Sequence, residues 1–122
     1  MKVKIEGMDF SESGFTRRNN YWKAQTLYDF AKAKEYKVMD MPLWCVNLGN
    51  QPLTMDSLKD FIFHVKRIND CSLDNPIILD DEGNIADGIH RICKAILNGE
   101  ETIKAIRLEE MPAPDEINEE EE

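Results

Sequence analysis

The run Asp87-Gly88-Ile89-His90-Arg91 gathers a carboxylate, a glycine, an imidazole and a guanidinium within five residues, immediately before an apolar helical pattern. The first turn of a helix has backbone N–H groups without intrahelical partners and carries a partial positive charge, so it attracts anions. A glycine there lets an anion approach the backbone, and Gly88 fits that role. Arg91 can add a bidentate fork to a phosphate, and His90 can donate a hydrogen bond or move a proton near neutral pH. Together these residues describe a phosphate pocket. Asp87 has two readings: its carboxylate caps the helix, or it helps hold a magnesium ion that bridges phosphate oxygens. The same residues are also common turn chemistry, with Arg91 simply facing solvent.

The elements that must position this segment can be read around it. Pro76 opens a short apolar strand, Ile77-Ile78-Leu79-Asp80; Asp81-Glu82-Gly83 makes a tight turn; and Asn84-Ile85-Ala86 runs back as a second strand. The helix begun by Asp87-Gly88 carries Ile89, Ile92, Cys93, Ile96 and Leu97 on one side and stops at Asn98-Gly99. A final strand follows, with Ile103, Ala105 or Ile106, and Leu108 alternating.

Upstream, Leu58, Phe61, Ile62, Val65 and Ile68 have the spacing of an amphipathic helix that buries this stripe, with Thr54 as its N-cap and His64 packing beside it. Val38 to Val46 reads as a strand whose Pro42 belongs at a sheet edge or at the strand's beginning. A helix is expected from about Asn19 to Glu35. Arg17 and Arg18, beside Phe15, Tyr21 and Trp22, could touch phosphates and stack on bases. A helix that buries its aromatics and leaves its arginines in solvent explains them equally well.

The chain has 122 residues, 42% hydrophobic and 8% aromatic, which suits one compact domain with a single core. Met1 to Phe10 could be a short strand or an extended arm. No apolar run approaches the roughly 20 residues needed to cross a bilayer, and no hydrophobic stretch after Lys2 and Lys4 makes a signal peptide, so a cytoplasmic protein without membrane contact is expected. Cys45, Cys71 and Cys93 are widely spaced with no C-x-x-C pair, which suggests buried or half-buried apolar residues and neither disulfides nor zinc.

The net charge of −9 is unevenly placed: eight of the 24 acids lie from Glu109 onward, leaving a body of sixteen acids against fifteen bases. That acidic end, with Pro112 and Pro114 and almost no apolar residues, should be a solvated, disordered tail. A mimic of nucleic-acid phosphates or a docking peptide is the functional alternative.

From Met41 to Leu108 the order of pieces resembles the ParB/sulfiredoxin-like superfamily: Pro76-Ile77-Ile78-Leu79, Gly83-Asn84-Ile85-Ala86, Asp87-Gly88-Ile89-His90-Arg91, Asn98-Gly99 and the strand Ile103 to Leu108. The resemblance implies an α+β class, with a mixed sheet and helices preceded by an N-terminal helix. The expected division is an arm and helix over 1–36, the ParB/sulfiredoxin-like domain over 37–110, and the tail over 111–122. It also implies a nucleotide site, for ATP or CTP with Mg2+, built from Gly88, Ile89, His90 and Arg91, with His90 and Asp87 as catalytic candidates and Asp87 as the metal ligand.

Members differ in chemistry. Sulfiredoxins carry Gly-Cys-His-Arg at this turn, where the present chain has Ile89, with Cys93 a helical turn away. Chromosome-partition ParB proteins carry a Gly-Glu-Arg-Arg type of turn and continue into a helix-turn-helix domain, where the present chain has an acidic tail. The free-serine kinases and ParB-type ATPase/nucleases imply phosphoryl transfer or nucleotide hydrolysis. Those kinases also carry a glutamate near the first strand; here none lies between Tyr36 and Glu82, which leaves Asp40, Asp56 or Glu35 as substitutes. The alternative is a non-catalytic module that keeps the fold and engages DNA or a protein partner.

Overall fold

A computed structural model describes residues 1–7, 13–50 and 53–118. The protein is a small α+β domain, with two sheets and three α-helices among the described residues. Its elements are β1 (Gly14–Arg17), β2 (Asn20–Lys23), α1 (Ala24–Ala33), β3 (Met39–Pro42), α2 (Leu58–Asp70), β4 (Ile77–Leu79), β5 (Ile85–Asp87), α3 (Ile89–Leu97), β6 (Thr102–Arg107) and β7 (Glu116–Ile117).

The central sheet has the order β3-β6-β4-β5. It is mixed: β3 is antiparallel to β6, β6 parallel to β4, and β4 antiparallel to β5. Parallel strands need a crossover, and β5 with α3 supplies it between β4 and β6. Both faces of the sheet are covered, which is why β4 is apolar at every position rather than alternating. Ile77 and Leu79 face α3 with Ile92, Ala95, Ile103 and Ala105. Ile78 faces the other way, with Trp22, Leu27, Ala31, Ile106 and Leu108. Ala105 and Ile106 are therefore both core residues, one for each face. Edge strand β3 ends at Pro42, where a missing N–H costs the sheet no ladder bond.

The structure corrects several expectations. Asn19 to Lys23 is not helical: β1 and β2 form a hairpin whose turn includes Arg18 at φ 56°, and α1 starts only at Ala24. Tyr21 and Trp22 favour the pleated ribbon, and Trp22 is 2% exposed, so tertiary burial overrides the helical propensity of the flanking residues. α2 begins with Ser57 rather than Thr54 as N-cap, the Ser57 hydroxyl accepting from the Asp60 amide at 3.1 Å.

The apolar stripe of α2 is not buried either. Leu58, Phe61, Ile62 and Val65 are 73%, 49%, 40% and 39% exposed and only Ile68 of the expected stripe is half-buried, because the helix turns the face of Phe63, His64, Arg67 and Ile68 inward. Cys45 is exposed; Cys71 and Cys93 are half-buried, and all three are free thiols.

The expected disordered tail is ordered through Asn118. β7 pairs with β2, the Trp22 indole donates to the Pro112 carbonyl at 2.8 Å, and Asp115 accepts from the Lys23 amide at 2.8 Å. Backbone pairing to a strand that presents open N–H and C=O groups holds a segment that its own composition would not. Residues 1–7 have no regular structure, and the remainder of the expected N-terminal arm and the last four glutamates lie outside the described residues. No described helix is long and apolar enough to cross a membrane.

Candidate functional site

The Asp87–Arg91 segment joins the end of β5 to the start of α3 and lines a cavity of about 800 Å³. Other walls come from Ser13, Gln25 and Tyr28 on the N-terminal side and from Arg67, Cys71 and Asn75 at and beyond the end of α2. The volume lies within the range of small-molecule pockets.

Gly88 is the N-cap of α3, at φ 116°. A Cβ there would meet an unfavourable backbone conformation and would also collide with the side chain of Ile77 beneath it. Packing onto β4 thus accounts for the glycine without any ligand. No side chain caps the helix. The first-turn amides therefore keep the unmatched donor character of an uncapped N-terminus, next to the cavity.

Asp87 does not cap α3. Its Oδ1 accepts from the Ser13 hydroxyl at 2.9 Å, and its Oδ2 accepts from the Tyr28 hydroxyl at 3.1 Å and from Arg91 Nη2 at 2.9 Å. Arg91 is equally committed. Nη1 donates to the carbonyls of Asn75 and Pro76 at 3.1 and 2.7 Å, and Nη2 donates to Tyr28 Oη at 2.9 Å as well as to Asp87. Burial, and then the charge of Asp87, push the Tyr28 hydroxyl up to about 12, so it remains a neutral donor. The network ties α1, β5, α3 and the loop before β4 together. Both Asp87 oxygens are turned to the chain's own donors, one of them a cation, which does not match the demands of a magnesium ligand. Among the described residues no group of three or more His, Cys, Asp or Glu side chains is arranged to hold a metal ion.

His90 meets a partner from α2. Its ring stacks on His64 with centroids 5.1 Å apart, His64 Nδ1 lies 2.8 Å from His90 Nε2, and His64 Nε2 lies 2.9 Å from the Thr54 carbonyl. A carbonyl only accepts, so His64 Nε2 carries the hydrogen. The close approach of His64 Nδ1 and His90 Nε2 then requires that one hydrogen lie between them. Burial, followed by the positive charge of Arg67, lowers the His90 pKa to about 4. At neutral pH the imidazole is uncharged and far from its titration range.

Glu35, Asp40 and Asp56, the acids that could replace a missing glutamate, are absent from the cavity wall; Asp40 lines a separate cavity of about 250 Å³. Arg17 is ion-paired and 17% exposed, whereas Arg18 pairs at the surface with its side chain 69% exposed. Arg17 donates to Asp80 at 2.9 Å and to Asp81, and lies 5.7 Å over the Trp22 ring; Arg18 donates to Glu82 at 3.1 Å. Asp80 is fully buried. Burial alone would raise its pKa, but hydrogen bonds from Asn84, Arg17 and the Glu82 amide outweigh that and hold it below the usual carboxylate range.

Sequence reasoning missed Ser13 and Tyr28 as wall residues, since each is far along the chain from the motif, and it missed Asn75, which directly precedes Pro76. It placed His64 in packing, without its partner His90. Compared with known proteins, the chain matches no family model, and no curated protein and no solved structure matches it.

Proposed function

We propose that the protein is a nucleotide- or phosphate-binding domain of the ParB/sulfiredoxin-like kind, acting in the cytoplasm as a binding module. The observation that carries this reading is the uncapped start of α3, Gly88 to His90, opening onto a cavity of about 800 Å³. A phosphate seated there accepts from the first-turn amides and gains from the helix dipole. Arg91 contributes as the residue that fixes this turn, through Asp87 and the Pro76 carbonyl. Ser13, Gln25 and Asn75 offer hydrogen-bonding groups to the rest of the ligand.

Two observations favour binding over phosphoryl transfer. A general base works best with a pKa near the operating pH, and His90 lies well below it. Asp87 is occupied by Ser13, Tyr28 and Arg91. No step is assigned to magnesium.

A thermal-shift panel of ATP, CTP, GTP, ADP and inorganic phosphate, each with and without magnesium, tests the reading. At a hundredfold excess over Kd a ligand adds about 2.7 kcal/mol of stability. At least one member should raise the melting temperature of the wild type. No shift from any ligand overturns the proposal.

A further inference from the structure

The outer face of α2 carries an apolar stripe that the fold leaves uncovered. Leu58, Phe61, Ile62 and Val65 succeed one another at helical spacing and are between 39% and 73% exposed, and α2 has no buried residue along its length. One exposed apolar side chain is ordinary, but four in register along two turns of a helix form a patch of the kind that marks a binding surface. The stripe is independent of the cavity, whose wall α2 joins only near its C-terminal end, through Arg67 and Asp70.

The charges beside the stripe say what covers it. On a helical wheel Lys59 and Lys66, seven residues apart, follow the same flank, and both are exposed. Lys66 also pairs with Asp70 on its own helix at 2.9 Å. If a second copy docked its α2 antiparallel across the two-fold axis, residues on one flank would meet the same flank of the partner. Lys59 would then face Lys66 of the other copy, and the reverse, which is two like-charge contacts. A lipid surface also fits poorly, because the chain's net charge of −9 opposes approach to anionic headgroups.

We infer that the Leu58–Val65 face of α2 is a docking site for an amphipathic helix of another protein, one with an apolar stripe and acidic residues along the edge that meets Lys59 and Lys66. The stripe supplies the buried area, and the two lysines select orientation and partner.

The test uses the full chain and two synthetic helical peptides with the same leucine stripe. One carries glutamates along one edge; the other carries lysines at those positions. Fluorescence anisotropy should show the glutamate-edged peptide binding at least tenfold more tightly. Charge reversal on the protein, Lys59→Glu with Lys66→Glu, should invert that preference, and Ile62→Asp should abolish binding of both peptides while the circular dichroism spectrum remains that of the wild type. Equal affinity for the two peptides, or no binding of either, overturns the inference. A concentration-dependent dimer in sedimentation that Ile62→Asp dissociates would give the face to a second copy instead. Binding to phosphatidylserine vesicles that Ile62→Asp abolishes would give it to a membrane.

Discussion

Arg91 reaches back four residues to Asp87, Nη2 to Oδ2 at 2.9 Å, and both side chains are about 85% buried. Together with Tyr28 Oη and two backbone carbonyls, this pair locks the turn from which α3 starts. Removing one partner leaves the other charge uncompensated. Arg91→Ala should therefore lower the unfolding free energy by about 3 kcal/mol, and adding Asp87→Asn should restore part of the loss. Urea denaturation of the two single variants and the double variant measures the coupling. Strictly additive losses would show that the pair does not hold the turn.

The His64–His90 pair gives a pH dependence of known sign. The folded pKa of His90, about 4, lies below the ordinary histidine value near 6.5, so the unfolded chain takes up its proton first. This group's contribution is constant above about pH 6.5 and falls as the pH drops toward 4. Wild type should lose more stability than His90→Gln between pH 7 and pH 5, by on the order of 1 kcal/mol once partial exposure is discounted. Identical losses in the two proteins would remove the pair as the cause.

Local chemistry in the sequence made the second half of the chain legible. The β4 turn, the Gly88 start of α3 and its Gly99 end each rest on a residue type whose backbone requirement is visible without the fold. Gly83, Gly88 and Gly99 do adopt φ values of 88°, 116° and 77°. The first half depended on partners distant in sequence. Trp22 is a strand residue because β1 and β7 pair with β2 and the Pro112 carbonyl meets its indole. The α2 stripe has the periodicity of a buried face, and periodicity cannot distinguish a face covered by the chain's own core from one left open. Ser13 and Tyr28 joined the site for the same reason as Trp22: they lie 74 and 59 residues from Asp87, which they bind.

The acidic C-terminal segment is part of the structure through Asn118, and deletion tests its weight. Removing Met111 to Glu122 takes away β7, the acceptor of the Trp22 indole and the Asp115 contact to Lys23. The truncated protein should melt at a lower temperature, by roughly 1–3 kcal/mol in stability, and its tryptophan emission should shift to the red as Trp22 gains water. Unchanged melting and emission would show that β7 adds nothing to the fold.

The central claim is that the first turn of α3 receives an anionic ligand. Amide chemical-shift mapping of the 15N-labelled protein tests it most directly, with ATP, CTP, GTP, ADP and inorganic phosphate as probes. The account predicts saturable shifts of the Ile89, His90 and Arg91 amides with at least one of these. Amides of Ile89 to Arg91 that stay fixed at saturating concentrations of every probe would contradict it.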